Sequence, residues 1–389
     1  MTRHPGDEAL RDQFLLDPSV SFFNHGCFGA CPRPVMEAYQ AWQLELERQP
    51  VEFLGRRMTE RMRWARGVLA AELGANIDDI VYVSNATTGL NAVARALRLN
   101  PGDEVLATDH EYGALDRTWR FVCRKAGATY VRQPVRLPAT SQREVAEQIW
   151  AGVSDRTRVL FLSHISSLTA LRFPVDVLIS RARDAGILTV IDGAHVPGHI
   201  DLDLNALGAD IYVGNCHKWM MSPKGAAFLH ARTDAQSLIE PLVVSWGWES
   251  EQPGPSQFVD HHEWQGTRDI APFLAVPAAI KFAEDHEWEP IRHQCHTLLS
   301  GFRKRMVELT GEPLLYPDSE AWFRQMHTFR LPAGVDGDAL ARRIYDEDRI
   351  ELPAVWWADR WHIRVSMQGY NGEEDLDRLA ASLRRCLPR

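Results

Sequence analysis

Lysine is scarce in this chain. Of 43 basic residues only five are lysines, Lys125, Lys218, Lys224, Lys281 and Lys304, so chemistry that needs a primary amine has five candidates. Cysteine is sparse as well. Six thiols, Cys27, Cys31, Cys123, Cys216, Cys295 and Cys386, are scattered over 389 residues, which excludes a disulfide-stapled miniprotein and predicts free thiols in a reducing cytosol. Cys27 and Cys31 form a C-x3-C pair that no second pair answers, so loop packing is expected there rather than zinc. No run approaches the roughly 18 apolar residues of a membrane span, and the polar N-terminus MTRHPGDEALRDQF lacks a signal-peptide core. A cytoplasmic protein with no membrane partner is expected. Basic excess is also missing: 43 basic against 52 acidic residues give a net charge of −9, which disfavours nucleic acid as a partner.

What is present is an ordinary globular composition, 45% apolar and 24% charged, in a chain long enough for two or three units at roughly 150 residues per domain. A Gly- and Pro-rich loop, NHGCFGACPRP, follows an extended piece over 20–23. Val35, Tyr39, Trp42 and Leu46 then recur at helical spacing. From residue 80 onward short β-rich runs alternate with helical ones. The runs are IVYVS, EVLAT, TYVRQ, RVLFLS, ILTVID, ADIYVGN and AAFLHA, a rhythm that predicts βαβ units and a mostly parallel sheet covered on both faces. The looser stretch 245–267 breaks the rhythm. Long helices over 271–285 and 288–310, strands over 326–331 and 362–366, and a closing helix over 373–386 follow, implying a smaller α+β unit. The expected organisation is an arm over 1–19, a large α/β domain over 20–267 and a small α+β domain over 268–389.

In a parallel α/β sheet, ligands collect beyond the carboxyl ends of the strands. After IVYVS comes Asn85-Ala86-Thr87-Thr88-Gly89, opening a helix with N–H groups and hydroxyls suited to one phosphate. Asp109-His110-Glu111-Tyr112 follows EVLAT and offers an aromatic ring. His164-Ile165-Ser166-Ser167 follows RVLFLS, Asp192-Gly193-Ala194-His195 follows ILTVI, and Asn215-Cys216-His217-Lys218 follows ADIYVG. Singly, each has a bland reading: a strand-end Asp is commonly a cap or turn residue, and a lysine is commonly at the surface. Together, a phosphate cradle, an aromatic platform, a strand-end carboxylate and a strand-end lysine meet the needs of pyridoxal 5′-phosphate. The lysine would form the Schiff base and shuttle protons. The carboxylate would keep the pyridine nitrogen protonated, so that the ring accepts electrons from Cα.

The runs SHISSLTALRFPV, LTVIDGAHVPGHIDLDLNALGADIYVGNCHKWMMSPKG and WQGTRDIAPFLAVPAAI resemble the class V aminotransferase superfamily, within fold type I of the pyridoxal-phosphate enzymes. FNHGCFGACPRPV, RQPVEFLGRR, DHEYGALDRTW, VSWGWE and IRVSMQGYNGEEDLDRL narrow the resemblance to isopenicillin N epimerase-like proteins. It covers nearly the whole chain. The resemblance implies a large domain with a mostly parallel seven-stranded sheet plus a smaller C-terminal α+β domain. It implies Lys218 as the cofactor-bearing lysine, Asp192 at the pyridinium with His195 beside it, and Tyr112 stacked on the ring. Ser167 is expected near the ring oxygen; Ala86, Thr87, Thr88 and His217 would bind the phosphate. Gly266 and Thr267 would reach the phosphate of a neighbouring subunit, implying a homodimer with active sites at the interface. Arg364 would fork onto the α-carboxylate of a small amino-acid substrate, with Asn24 and His25 on the substrate side.

Departures from the pattern carry information too. The segment 353–361, PAVWWADRW, matches the active-site cysteine loop of cysteine desulfurases and holds no cysteine, which disfavours persulfide chemistry. Its tryptophans suggest an apolar wall around a large substrate side chain, or else core packing. Leu168-Thr169-Ala170 stands where the epimerase-like family usually has Thr-Gly. Every candidate reaction starts by breaking a bond at Cα. Elimination needs one base and a leaving group at Cβ, whereas epimerisation needs a second acid that no spacing identifies. The expected activity is therefore β-elimination from a cysteine S-conjugate in antibiotic or thiol-metabolite metabolism. Isopenicillin N epimerase-like epimerisation and decarboxylation-coupled oxidative deamination stand as alternatives, and a non-catalytic sensing module as a remote one.

Overall fold

The computed structural model describes residues 4–388, so residues 1–3 of the expected N-terminal arm lie outside the described residues. Twelve strands alternate with helices along it. They are β1 (Ser21–Phe22), β2 (Ile80–Val83), β3 (Glu104–Thr108), β4 (Thr129–Gln133), β5 (Thr157–Ser163), β6 (Leu188–Asp192), β7 (Ile211–Asn215), β8 (Ala227–Ala231), β9 (Met326–Arg330), β10 (Ile350–Glu351), β11 (Ala354–Trp357) and β12 (Arg360–Ser366). Seven of them form one sheet in the order β2-β8-β7-β6-β5-β3-β4. All its pairings are parallel except those of β8, which runs against both β2 and β7.

The strands are apolar on both faces because helices cover both. Val81, Val105, Val159, Phe161, Val190 and Val213 pack into one layer with Leu90 and Trp119. Their neighbours Tyr82, Leu106, Leu160, Leu162, Ile191 and Tyr212 face the other. A period of two thus splits continuous apolar runs between two cores. The second core continues into C-terminal residues such as Phe302, Phe329 and Leu379. There β11, β12 and β9 form an antiparallel sheet that carries Arg364 opposite Thr328.

Several expected elements differ in detail. The helix expected over 271–285 is divided into Ala271–Leu274 and Val276–Asp285. The loose stretch 245–267 contains the helix Gln257–Glu263, whose Ser256 cap accepts the Val259 N–H. The helix Gly337–Asp348 was not anticipated: only Leu340 and Ile344 are its large buried side chains, so its charged surface hides the period. The sheet β11–β12 was half seen, and its turn places Ala358 and Asp359 at positive φ.

The chain's two ends are joined. β1 pairs in parallel with β10, and the buried Asp375 carboxylate gathers Arg11, the Ser21 hydroxyl (2.6 Å) and the Gly372 N–H (2.9 Å). Charge-assisted bonds of this kind contribute most when buried. Asp375→Ala is therefore expected to lower the unfolding free energy by about 2–3 kcal/mol, read as a fall in the urea midpoint at unchanged slope; a midpoint equal to wild type would contradict the role given to this network.

Candidate active site

The carboxyl ends of β5, β6 and β7 lie level, Ser163 beside Asp192 and Asp192 beside Val213. The chain then turns sharply after β7. Asn215 Oδ1 accepts the Ala86 N–H (2.8 Å), while Cys216 N–H, His217 N–H and His217 Nδ1–H all point at Ala226 O, at 3.1, 3.2 and 2.9 Å. These bonds aim Lys218 back over the sheet edge. Behind it lies the loop NHGCFGAC. Gly29 packs so closely that a Cβ there would lie 2.5–2.8 Å from Lys218 O, His217 O and Lys218 Cα. His25, fully buried, donates from Nε2 to Lys218 O (3.1 Å) and accepts at Nδ1 from Tyr370 O–H (2.9 Å) and Ala30 N–H (3.3 Å). Burial holds that imidazole neutral, pushing it down to about 3.

Lys218 itself is half-buried, and the desolvation of its amine is its dominant electrostatic fact. Desolvation first, then the Arg364 cation, push its ammonium down to about 8, while Asp192 pulls the other way. Its Nζ is 3.1 Å from His195 Nε2. The Trp219 indole N–H donates to the other ring nitrogen, Nδ1, at 3.4 Å. Burial keeps His195 neutral, so its single ring proton sits on Nε2 and is donated to Lys218 in the fraction of molecules where that lysine is a free amine. Trp219 is in turn stacked on His199, 4.1 Å between centroids.

Asp192 is buried at 4% exposure, and burial raises its carboxyl above the ordinary range while Lys218 opposes the rise. Oδ1 accepts the Ala194 N–H (2.9 Å), and Oδ2 has no partner among the described residues. Only glycine fits next to it, because a Cβ on Gly193 would sit 2.0 Å from the Tyr212 ring.

At the helix Ala86–Ala96 the expected phosphate groups are not equivalent. Asn85 caps it, accepting the Thr88 N–H (2.8 Å) and hydroxyl (3.1 Å), and Ala86 N–H is held by Asn215. Thr87 N–H and its hydroxyl are left without a partner among the described residues. His217, neutral and pushed down to about 4 chiefly by burial, keeps Nε2 as its remaining group.

These pieces enclose a cavity of about 230 Å³. Lys218, Asp192, His195, Ala86, Thr87, Tyr112, Ser167 and His217 of the expected set line it. Tyr112 is 45% exposed, at its mouth. Thr88, Asn24, His25, Arg364, Gly266 and Thr267 are not among its lining residues. His25 braces the back of the lysine loop, and Asn24 donates to Glu351 (3.2 Å). Arg364 stands behind the wall, donating from Nη1 to the Ser167 carbonyl and hydroxyl (3.1 Å) and from Nη2 to Cys27 Sγ (2.6 Å). Cys27 and Phe28 line the cavity, a placement that reading the C-x3-C pair as loop packing missed. The tryptophans of 353–361 do not line it; Trp357 packs on His110 at 4.5 Å.

A half-buried lysine whose ammonium is pushed down to about 8, a carboxylate with an open oxygen and a helix start with a free N–H fit pyridoxal 5′-phosphate at its aldehyde, ring nitrogen and phosphate. Lys218, Asp192 and Thr87 would hold those groups. The fold and this donor set define a fold type I enzyme. The aminotransferase class-V family model matches residues 30–379. The chain is 36% identical over 387 residues to isopenicillin N epimerase of Amycolatopsis lactamdurans, covering 96% of this chain and 97% of that one. It is 29% identical over 403 residues to putative L-cysteine desulfhydrase 1 of Oryza sativa subsp. japonica, covering 93% and 82%. Among solved structures, the complex of the cystine C-S lyase C-DES with cysteine persulfide superposes with a TM-score of 0.82 at 23% identity, covering 95% and 99%. The apo cysteine desulfurase of Thermococcus onnurineus NA1 gives 0.82 at 21%, covering 99% of each chain. The chain belongs to the aminotransferase class-V family, whose cofactor is pyridoxal 5′-phosphate.

A free amine is the nucleophile toward an aldehyde, so the reactive fraction of a lysine titrating at about 8 grows as pH rises. Capture of pyridoxal 5′-phosphate by the cofactor-free protein is expected to accelerate about tenfold between about pH 7 and pH 9, measured by stopped-flow absorbance; a flat profile would contradict the state assigned to Lys218.

Proposed function

We propose that the protein processes a cysteine S-conjugate by β-elimination, releasing the sulfur substituent as a thiol. The reading rests above all on Lys218, the one lysine lining the cavity, whose amine meets His195 and whose ammonium is pushed down to about 8 by desolvation and Arg364. Elimination needs one base and a leaving group at Cβ, and nothing more from the protein. Pyridoxal 5′-phosphate, when bound, supplies an aldehyde for the substrate amine and a ring that takes up the electron pair left at Cα. Lys218 Nζ takes the Cα proton; the C–H pair becomes the Cα–Cβ double bond as the Cβ–S bond breaks, and sulfur departs with that bond's electrons. With one water the remainder yields pyruvate and ammonia.

The other side chains orient and hold. Asp192, through Oδ2, would hold the ring nitrogen, and Tyr112, at the mouth, would cover the ring. Thr87 and His217 would hold the phosphate, with Thr88 acting through the Asn85 cap and Ala86 through Asn215. Ser167 and Arg364 take the α-carboxylate, which replaces Cys27 at Arg364 Nη2. Gly266 and Thr267 of a second copy complete the phosphate site, making the working form a homodimer. The 29% identity to a putative cysteine desulfhydrase supports the substrate class.

Epimerisation at Cα is the second reading, favoured by 36% and 35% identity to isopenicillin N epimerases over nearly the whole chain. It would need a second proton donor, for which Cys27 and Tyr112 are the remaining candidates in the cavity.

Incubation with cysteine S-conjugates and isopenicillin-like peptides in deuterated water separates these outcomes. Pyruvate, ammonia and a free thiol are expected. Cα deuteration with inversion and no thiol would replace elimination with epimerisation, and carbon dioxide with an aldehyde would replace it with decarboxylative deamination. Lys218→Ala is expected to lose both the visible absorption band and turnover. Arg364→Ala is expected to weaken the apparent affinity for carboxylate substrates by about thirtyfold or more, and an unchanged KM would remove the arginine from the site.

A further inference from the structure

One buried acid beside the site has no part in the reaction just described. Glu111 is 4% exposed and sits between the sheet and the loop that carries Tyr112. Its Oε2 accepts both the N–H (2.9 Å) and the hydroxyl (2.7 Å) of Ser163, and its Oε1 accepts the Thr108 hydroxyl (2.7 Å). Ser163 lines the cavity and is the cross-strand neighbour of Asp192 on β6. Glu111 therefore anchors the strand end next to the Asp192 carboxylate and adds a second buried acid there. Strand pairing alone could hold Ser163, so a purely structural anchor would not require an acid; a neutral acceptor would serve.

We propose that Glu111 is a positioning residue for the cofactor site: it fixes Ser163 from behind and, as a second carboxyl group beside Asp192, sets the charge that the bound cofactor experiences. The inference rests on the pyridoxal-phosphate reading of the cavity. Burial pushes the Glu111 carboxyl up to about 7, with Asp192 adding to the rise and the Ser163 and Thr108 donors opposing it. Asp192 faces it from β6, and Tyr130, whose hydroxyl Glu111 and Asp116 push up after burial, faces it from β4. Two like charges this close disfavour double ionisation. A cation paired with Asp192 relieves that conflict, so cofactor binding and the proton on Glu111 are linked.

The test is the pH titration of the bound cofactor's visible absorption in the wild-type holoenzyme and in Glu111→Gln, Glu111→Asp and Thr108→Val. An ionised Glu111 favours the protonated form of the chromophore. Its neutral isostere is expected to lower the midpoint by about half a pH unit or more, while Glu111→Asp stays with the wild type. Thr108→Val, which removes one donor to the carboxylate, is expected to move the midpoint in the same direction by a smaller amount and keeps the test open if the glutamine variant does not fold. Midpoints that coincide with wild type in Glu111→Gln and Thr108→Val, with the band present, overturn this inference alone. A wild-type protein that shows no band with added pyridoxal 5′-phosphate overturns the cofactor reading and this inference with it.

Discussion

Bringing the titration of one lysine down toward neutral pH is the constraint on which the site depends. A lysine surrounded by water would be an ammonium near neutral pH and useless as a nucleophile. Here burial does most of the work, and Arg364 adds electrostatic pressure in the same direction. The His195–Trp219 pair then decides which way the remaining proton points. Because Trp219 follows Lys218 in the chain and donates to the histidine that meets it, lysine and proton arrangement are set by one short segment.

That segment would not hold its shape alone. It leaves β7 with its backbone donors concentrated on Ala226 and is backed by Gly29 and His25 from a loop nearly two hundred residues earlier. The level strand ends bring Ser163, Asp192 and Asn215 to one rim. Local turn chemistry and sheet register thus share the positioning. Neither would bring the amine and the Asp192 carboxylate into one cavity of about 230 Å³ by itself.

Much of this was legible in the chain. Strand-end residues are readable because a parallel sheet puts its ligands at one edge, and Lys218, Asp192, Thr87 and Tyr112 all come from such positions. The limits are equally physical. A loop of Gly and Pro declares its freedom but not its facing, so NHGCFGAC was read with Asn24 and His25 toward the substrate. The structure turns His25 onto the lysine carbonyl and Cys27 into the cavity. Likewise a Thr-Thr pair at a helix start does not reveal which N–H the Asn85 cap will consume. The helix Gly337–Asp348 escaped because its buried stripe is narrow, and the tryptophans of 353–361 proved to be hairpin residues, one of them packed on His110.

The pairing of β1 with β10 has a further consequence, in the order of events during synthesis. The loop that braces Lys218 is tied to the other end of the chain: Ser366 N–H donates to Phe23 O (2.9 Å), Tyr370 holds His25, and Arg364 reaches Cys27. A ribosome-bound chain that has already made Lys218, Asp192 and the phosphate helix still lacks those partners. Contacts of such long sequence separation form late and at an entropic cost. The cofactor pocket is therefore closed by residues that emerge well after Lys218, and a chain stopped before them would carry the chemical groups without the means to hold the amine in place.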